Sequence, residues 1–285
     1  MALLKPYLTL CRLWISFFAA CSAATGFFLA PEHHAARVVI PATAVFFLAC
    51  GASALNQFQE RDIDAKMERT RTRPLPSGAM APARVVVISA LLMLAGLSLA
   101  SLAGPAATML GVSALIWYNG VYTYLKRITA FAAVPGAAVG MIPPLIGWVS
   151  TGGALLDARI AALCLLFFLW QVPHFWLLLL DRGEDYERAG LPSLTKVMSN
   201  IQIARITYVW ITAAAVASLA LPLYGLARKP SGYFPLLSLS LWLIWSGKSL
   251  AEKSSFPSRS FLLFRKINIY LFLMMTLLTM EGIFF

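Results

Sequence analysis

Of the 12 aspartates and glutamates in this chain, eight fall in two short stretches, NQFQERDIDAKMERTRTRPLPSG (56–78) and DRGEDYER (181–188). In the first, Asn56, Glu60 and Asp64 stand four residues apart; in the second, Asp181 and Asp185 repeat that spacing. On a continuing helix such residues project along one face. Like charges four apart cost a helix about 0.2–0.5 kcal/mol per pair, so a cation is expected to offset them. Hard oxygen donors of this kind suit Mg²⁺, which takes one or two carboxylates and completes its shell with waters and substrate phosphates. Arg69, Arg71 and Arg73 follow the first acids directly, and guanidinium forks bind phosphate oxygens in pairs. The chemistry these residues point to is the binding of a magnesium–diphosphate. The plainer reading is a solvated loop whose acids and bases neutralise one another. It accounts for one such loop more easily than for two that share a spacing.

The elements that must carry these loops are membrane helices. The 285 residues are 60% hydrophobic and 12% charged, with a mean hydropathy of +0.76, whereas soluble domains carry about 25% charged residues. Apolar runs of roughly 20 residues recur, the length a helix needs to cross a bilayer. Backbone groups in lipid must bond within the protein, and the runs lack strand-like alternation. The expected fold is all-α: a polytopic helical bundle in one integral-membrane domain, 1–285. Nine transmembrane helices are expected, at 12–30, 38–58, 84–104, 106–125, 130–150, 159–180, 205–226, 233–249 and 266–284. The fifth holds Pro135, Pro143 and Pro144 and should kink. The first is read as a retained span, because no small-residue cleavage site follows it convincingly. Cys11, Cys21, Cys50 and Cys164 all lie in apolar runs without a Cys-x-x-Cys pattern and read as core residues.

This layout puts all but four of the 23 lysines and arginines on the side of the N-terminus; the four are Arg37, Arg159, Arg228 and Lys229. The positive-inside rule then makes the N-terminus cytoplasmic and the C-terminus external, with both acidic loops cytoplasmic. The net charge of +11 follows from that orientation and argues for no nucleic acid.

Asn56-xxx-Glu60-xxx-Asp64 resembles the first acidic motif of the UbiA-type intramembrane prenyltransferases, and Asp181-xxx-Asp185 their second. Tyr122-xxx-Lys126, in YTYLK, resembles a third element that helps hold the diphosphate. RDIDAKMERTRTRPLPSG, YTYLKR, PPLIGW, WQVPHFW and DYERAGLPSL are similar, in order, to segments of the branch of that family that farnesylates protoheme IX. Three departures stand out: Glu60 replaces the usual aspartate, Lys5-Pro6-Tyr7 replaces an early Lys-Pro-Arg and leaves open whether Arg12 takes over the lost guanidinium, and Ile128-Thr129-Ala130 replaces Arg-Thr-Pro.

The resemblance implies Mg²⁺-dependent transfer of a farnesyl group from farnesyl diphosphate to a vinyl group of heme B, at the surface of a bacterial cytoplasmic membrane. Glu60, Asp64, Asp181 and Asp185 would ligate metal, with Asn56 assisting. Arg69, Arg73, Tyr122, Lys126 and Arg127 would hold the diphosphate. Trp117, Tyr118, Trp170, Phe175 and Trp176 either shelter a carbocation or simply pack. His174, inside a span, either ligates heme iron on the acceptor side or serves as a hydrogen-bonded structural residue. His33 and His34 read as loop residues. An aromatic quinone precursor (hydroxybenzoate or naphthoate) is the alternative acceptor. A divalent-cation transporter is the third reading, disfavoured because its acids belong near the midplane and these sit at one surface.

Overall fold

The computed structural model describes residues 4–227, 229–250 and 260–284. Of the basic residues counted above, Arg228, Lys253 and Arg259 lie outside the described residues. All the regular structure among the described residues is helical.

A short helix α1 (Lys5–Leu10) leads into α2 (Leu13–Leu29), and α3 (Val39–Gln59) returns to the starting end. A single turn, α4 (Arg61–Asp64), opens the first acidic loop, which ends where Pro82 starts α5 (Pro82–Ala103). Proline suits a first helical position because its missing N–H would be unpaired there anyway; Pro105 starts α6 (Pro105–Leu115) in the same way. That helix runs on through a π-helical stretch, Ile116–Tyr122, and one last turn, α7 (Thr123–Leu125). The proline-rich fifth segment is broken as its composition dictates: α8 (Ala133–Gly136), a 3₁₀ stretch Ala137–Met141, then α9 (Ile142–Val149). The 31-residue α10 (Ala158–Arg188) is capped by the Asp157 carboxylate and carries the second acidic motif at its far end. Ser199 and Gln202 form a reciprocal capping box on α11 (Asn200–Ala220). The helices α12 (Pro230–Gly247) and α13 (Ser260–Phe284) follow.

Among the described residues five helices are long and apolar enough to cross a membrane: Ala35–Gln59, Pro82–Ala103, Ala158–Arg188, Asn200–Tyr224 and Ser260–Phe284, whereas Leu13–Leu29 and Ala133–Val149 are shorter apolar helices. Large apolar side chains such as Trp14, Leu91, Leu156 and Trp245 face outward, as lipid contact requires. Small residues and buried hydroxyls hold the bundle together, since lipid gives apolar helices no hydrophobic reason to associate. A Cβ built on Gly147 would lie 1.8 Å from the Ala23 carbonyl oxygen, so α2 and α9 meet backbone to backbone. Deeper in, Tyr270 donates to Ser218 Oγ at 2.8 Å, and Ser218 pairs with Ser240 at 2.8 Å.

The acid spacing does not ride on continuous helices. Glu60 leaves helical geometry (φ −109°, ψ 10°), and Arg182 does the same inside α10 (φ −129°, ψ 20°). Each acidic motif therefore straddles a break. At the first, Glu60 N–H still bonds the Asn56 carbonyl at 3.0 Å and Asp64 N–H the Glu60 carbonyl at 2.7 Å, so the segment turns without losing its hydrogen bonds.

Candidate active site

At the end of α3, Asn56 Nδ2 donates to Thr123 Oγ1 at 3.0 Å, and that hydroxyl donates to the Tyr118 carbonyl at 2.9 Å. The first acidic motif is thereby tied to the π-helical stretch. Glu60 and Asp64 are both buried. The Glu60 carboxylate pairs with the Lys126 ammonium, and Arg73 Nη1 reaches both Asp64 oxygens at 2.7 and 2.6 Å. Thr70 Oγ1 donates to the Asp64 carbonyl at 2.9 Å, folding the loop back over its own acid. Asp62 is largely exposed and pairs loosely with Arg127 at 3.4 Å; Arg127 also donates to the Gln59 carbonyl.

The second motif meets the first directly. Asp185, buried, accepts the backbone N–H of Glu68 at 3.3 Å and of Arg69 at 3.4 Å. Beside this latch, Ile63 and Met67 of the first loop pack with Tyr186, Ala189 and Leu191 beyond the second. Asp181 lies on the near side of the Arg182 break and pairs with Arg182 Nε at 2.8 Å. Segments more than a hundred residues apart thus form one carboxylate-bearing surface at one end of the bundle.

Of the basic residues expected there, Arg73 and Lys126 point into that surface. Arg69 joins it through its backbone, and no carboxylate among the described residues pairs with its guanidinium. Burial pushes the Lys126 ammonium below the ordinary lysine value, with Glu60 opposing the shift and Arg12 adding to it. Arg73 is lowered first by burial and then by the nearby Arg12 charge. The Tyr122 ring lies under Lys126 Nζ, 5.3 Å from the ring centre, and stacks on Phe175 at 5.9 Å. Tyr118 extends the same column at 5.8 Å. Tyr118 and Tyr122 both lie in the π-helical stretch, and nothing in the local sequence announces that stretch.

The other aromatic candidates lie elsewhere. Trp170 Nε1 donates to the Ile267 carbonyl at 2.8 Å, Trp117 Nε1 to the Pro135 carbonyl at 2.9 Å, and Trp176 packs edge-on against Trp210. Among the described residues His174 makes no hydrogen bond or ion pair with these acids, and its ring lies 5.6 Å from Phe175. It sits among Trp170 and Phe264, each 4.8 Å between ring centres, and its Nδ1 has no hydrogen-bond partner among the described residues.

No three of His, Cys, Asp and Glu among the described residues stand close enough to cage an ion. The carboxylates instead hold protein cations or amides. Their chemistry still fits Mg²⁺: they are hard anionic oxygens, and an ion that keeps several waters and phosphate oxygens needs no all-protein cage.

Comparison with known proteins identifies the family. The UbiA prenyltransferase family matches residues 13–272. A protoheme IX farnesyltransferase of Geobacter sulfurreducens is 43% identical over 205 residues, 72% of this chain and 76% of the relative. One from Oleidesulfovibrio alaskensis is 34% identical over 284 residues, covering 99% and 98%. Among solved structures, a digeranylgeranylglyceryl phosphate synthase superposes with a TM-score of 0.78 at 18% identity, covering 99% of both chains. A UbiA homologue from Archaeoglobus fulgidus bound to GPP and Mg²⁺ gives 0.68 at 16%, covering 98% of both. Fold and relatives together define an integral-membrane, all-helical prenyltransferase. The chain belongs to the UbiA prenyltransferase family.

Proposed function

We propose that this enzyme transfers a farnesyl group from farnesyl diphosphate to a vinyl group of protoheme IX (heme B), giving heme O. The observation that carries the reading is the latch from Asp185 to the amides of Glu68 and Arg69, which joins two acidic motifs into one surface. The acceptor is read from the relatives named protoheme IX farnesyltransferase, two of which match 72% and 99% of this chain.

Glu60, Asp64, Asp181 and Asp185, with Asn56 beside them, would hold Mg²⁺. When bound, the ion supplies positive charge to the departing diphosphate. Arg69, Arg73, Lys126 and Arg127 do the same from the protein side, with Tyr122 bordering them. The present ion pairs suit an exchange: each cation gives up a carboxylate for a phosphate oxygen, and each carboxylate is freed for metal, so charge stays balanced. In the reaction the C1–O bond of the donor breaks and leaves an allylic cation. The vinyl carbon attacks it, and water adds to the resulting cation with loss of a proton. The column of Tyr118, Tyr122 and Phe175 offers ring faces to the first of these cations. His174 belongs to the acceptor side of the site in this reading, or to packing beneath it.

The remaining layout is part of the same proposal: one domain, nine spans, the N-terminus and acidic loops in the cytoplasm and the C-terminus outside. Side-selective labelling of a cysteine placed at Gly152 tests it; labelling from the cytoplasmic side only would overturn the orientation. For the activity, membranes carrying the protein are incubated with farnesyl diphosphate, Mg²⁺ and heme B, or with 4-hydroxybenzoate as acceptor, and extracts are read by mass spectrometry. A farnesylated porphyrin is the expected product. A prenylated phenol alone would overturn the choice of acceptor.

A further inference from the structure

Arg12 stands in left-handed backbone geometry, φ 44° and ψ 53°, between α1 and α2. L-residues with a side chain avoid this region, and glycine or asparagine fills it at far lower cost. The turn itself does not ask for arginine. Its backbone is fully occupied: the Arg12 carbonyl accepts N–H bonds from Ile15 at 2.9 Å and Ser16 at 3.1 Å, and Ser16 Oγ donates to the Cys11 carbonyl at 2.9 Å. Gln57, next to Asn56 in the first motif, donates to the Thr9 and Leu10 carbonyls at 3.2 and 2.8 Å and fixes the end of α1 against α3. The junction is therefore clamped to the very helix that presents Asn56 and Glu60.

The side chain explains the choice. The Arg12 side chain lies near Tyr118 and within electrostatic reach of Arg73, Lys126, Tyr122 and Tyr186. Arg73 has Asp64 and Lys126 has Glu60, but among the described residues no carboxylate lies within ion-pair distance of Arg12. Of the three neighbouring cations Arg12, Arg73 and Lys126, two are thus paired with a carboxylate and Arg12 is not, beside the Tyr118 phenol. Such a cation, held at the cost of backbone strain, fits a polyanion.

We propose that Arg12 is a donor-binding residue, its guanidinium held by the strained α1–α2 junction to engage the diphosphate of the prenyl donor. This rests on the reading of the site as a diphosphate site. The metal and diphosphate residues named above belong to the two loops and the YTYLKR segment, whereas Arg12 belongs to the α1–α2 junction.

The test uses the full-length protein purified in detergent. Binding of inorganic pyrophosphate with Mg²⁺ is measured by calorimetry, the KM for farnesyl diphosphate by turnover, and thermal unfolding on the same samples. Arg12→Gly keeps the turn and deletes the guanidinium; Arg12→Asn does so with a residue that also tolerates this conformation. Both are expected to bind pyrophosphate at least tenfold more weakly and to raise the donor KM by a similar factor, with the acceptor KM unchanged. Their unfolding temperature should not fall, and Arg12→Lys should recover part of the binding. Pyrophosphate affinity within twofold of wild type in either folded variant overturns the role of Arg12. If wild type itself binds no pyrophosphate, the diphosphate reading of the whole site falls, and this inference with it.

Discussion

At the scale of single residues, the site is a set of exchangeable ion pairs, and each member has a distinct cost of removal. Asp64→Asn and Asp185→Asn are expected to abolish turnover while the protein still accumulates in membranes, measured as product formed per amount of protein. Asp64→Asn also leaves Arg73 without its bidentate partner. A buried charge stripped of its counter-charge is costly, so this variant should melt at a lower temperature than Asp185→Asn, whose acid holds mainly amides. Lys126 gives a pH signature. Its protonated form attracts the diphosphate, and burial holds its pKa below the ordinary lysine value. Donor binding is therefore full on the acid side of that lowered pKa and is lost as pH rises through it. Lys126→Arg should move this basic limb to higher pH in a profile of kcat/KM. Folding follows the opposite sign: the unfolded chain keeps the lysine proton more tightly, so stability rises with pH across the same window.

The elements show why the site was only partly legible in the sequence. The acids stood out because eight carboxylates concentrated in so apolar a chain ask for a reason, and their convergence is present in the fold. Hidden were the breaks at Glu60 and Arg182. No proline lies at either point, and Gly183 is the only glycine adjacent to one of them. The break places Asp181 against Arg182 while Asp185 faces the first loop, so an i, i+4 face is not what the second motif presents. Hidden too was the π-helical stretch, since one widened turn leaves no compositional trace. Proline was the exception: Pro135, Pro143 and Pro144 marked a segment that indeed divides into α8, a 3₁₀ stretch and α9. The backbone approach of α2 and α9 gives a prediction at this scale. Gly147→Ala must push Ala23 aside, and overpacking of this kind costs about 1–3 kcal/mol. Thermal unfolding in detergent should show the loss, whereas Gly120→Ala, whose added carbon would meet nothing nearer than 3.9 Å, should not.

Taken whole, the molecule keeps its charge chemistry at one end of an apolar bundle, and the two acidic loops are fastened to each other there by few contacts. The latch from Asp185 is a pair of long hydrogen bonds to backbone amides, backed by a small apolar patch. In the proposed function, magnesium lays claim to that same carboxylate. Arrival of the donor must then undo the fastening that shapes the empty site, and the strand of chain around Glu68 and Arg69 would be steadied by its cargo, not by α10. Hydrogen–deuterium exchange should register the handover: with magnesium alone these two amides exchange faster, and with magnesium and diphosphate together they are protected again. An enzyme built this way spends part of its grip on substrate in replacing a clasp of its own, and so releases spent pyrophosphate by letting the clasp re-form.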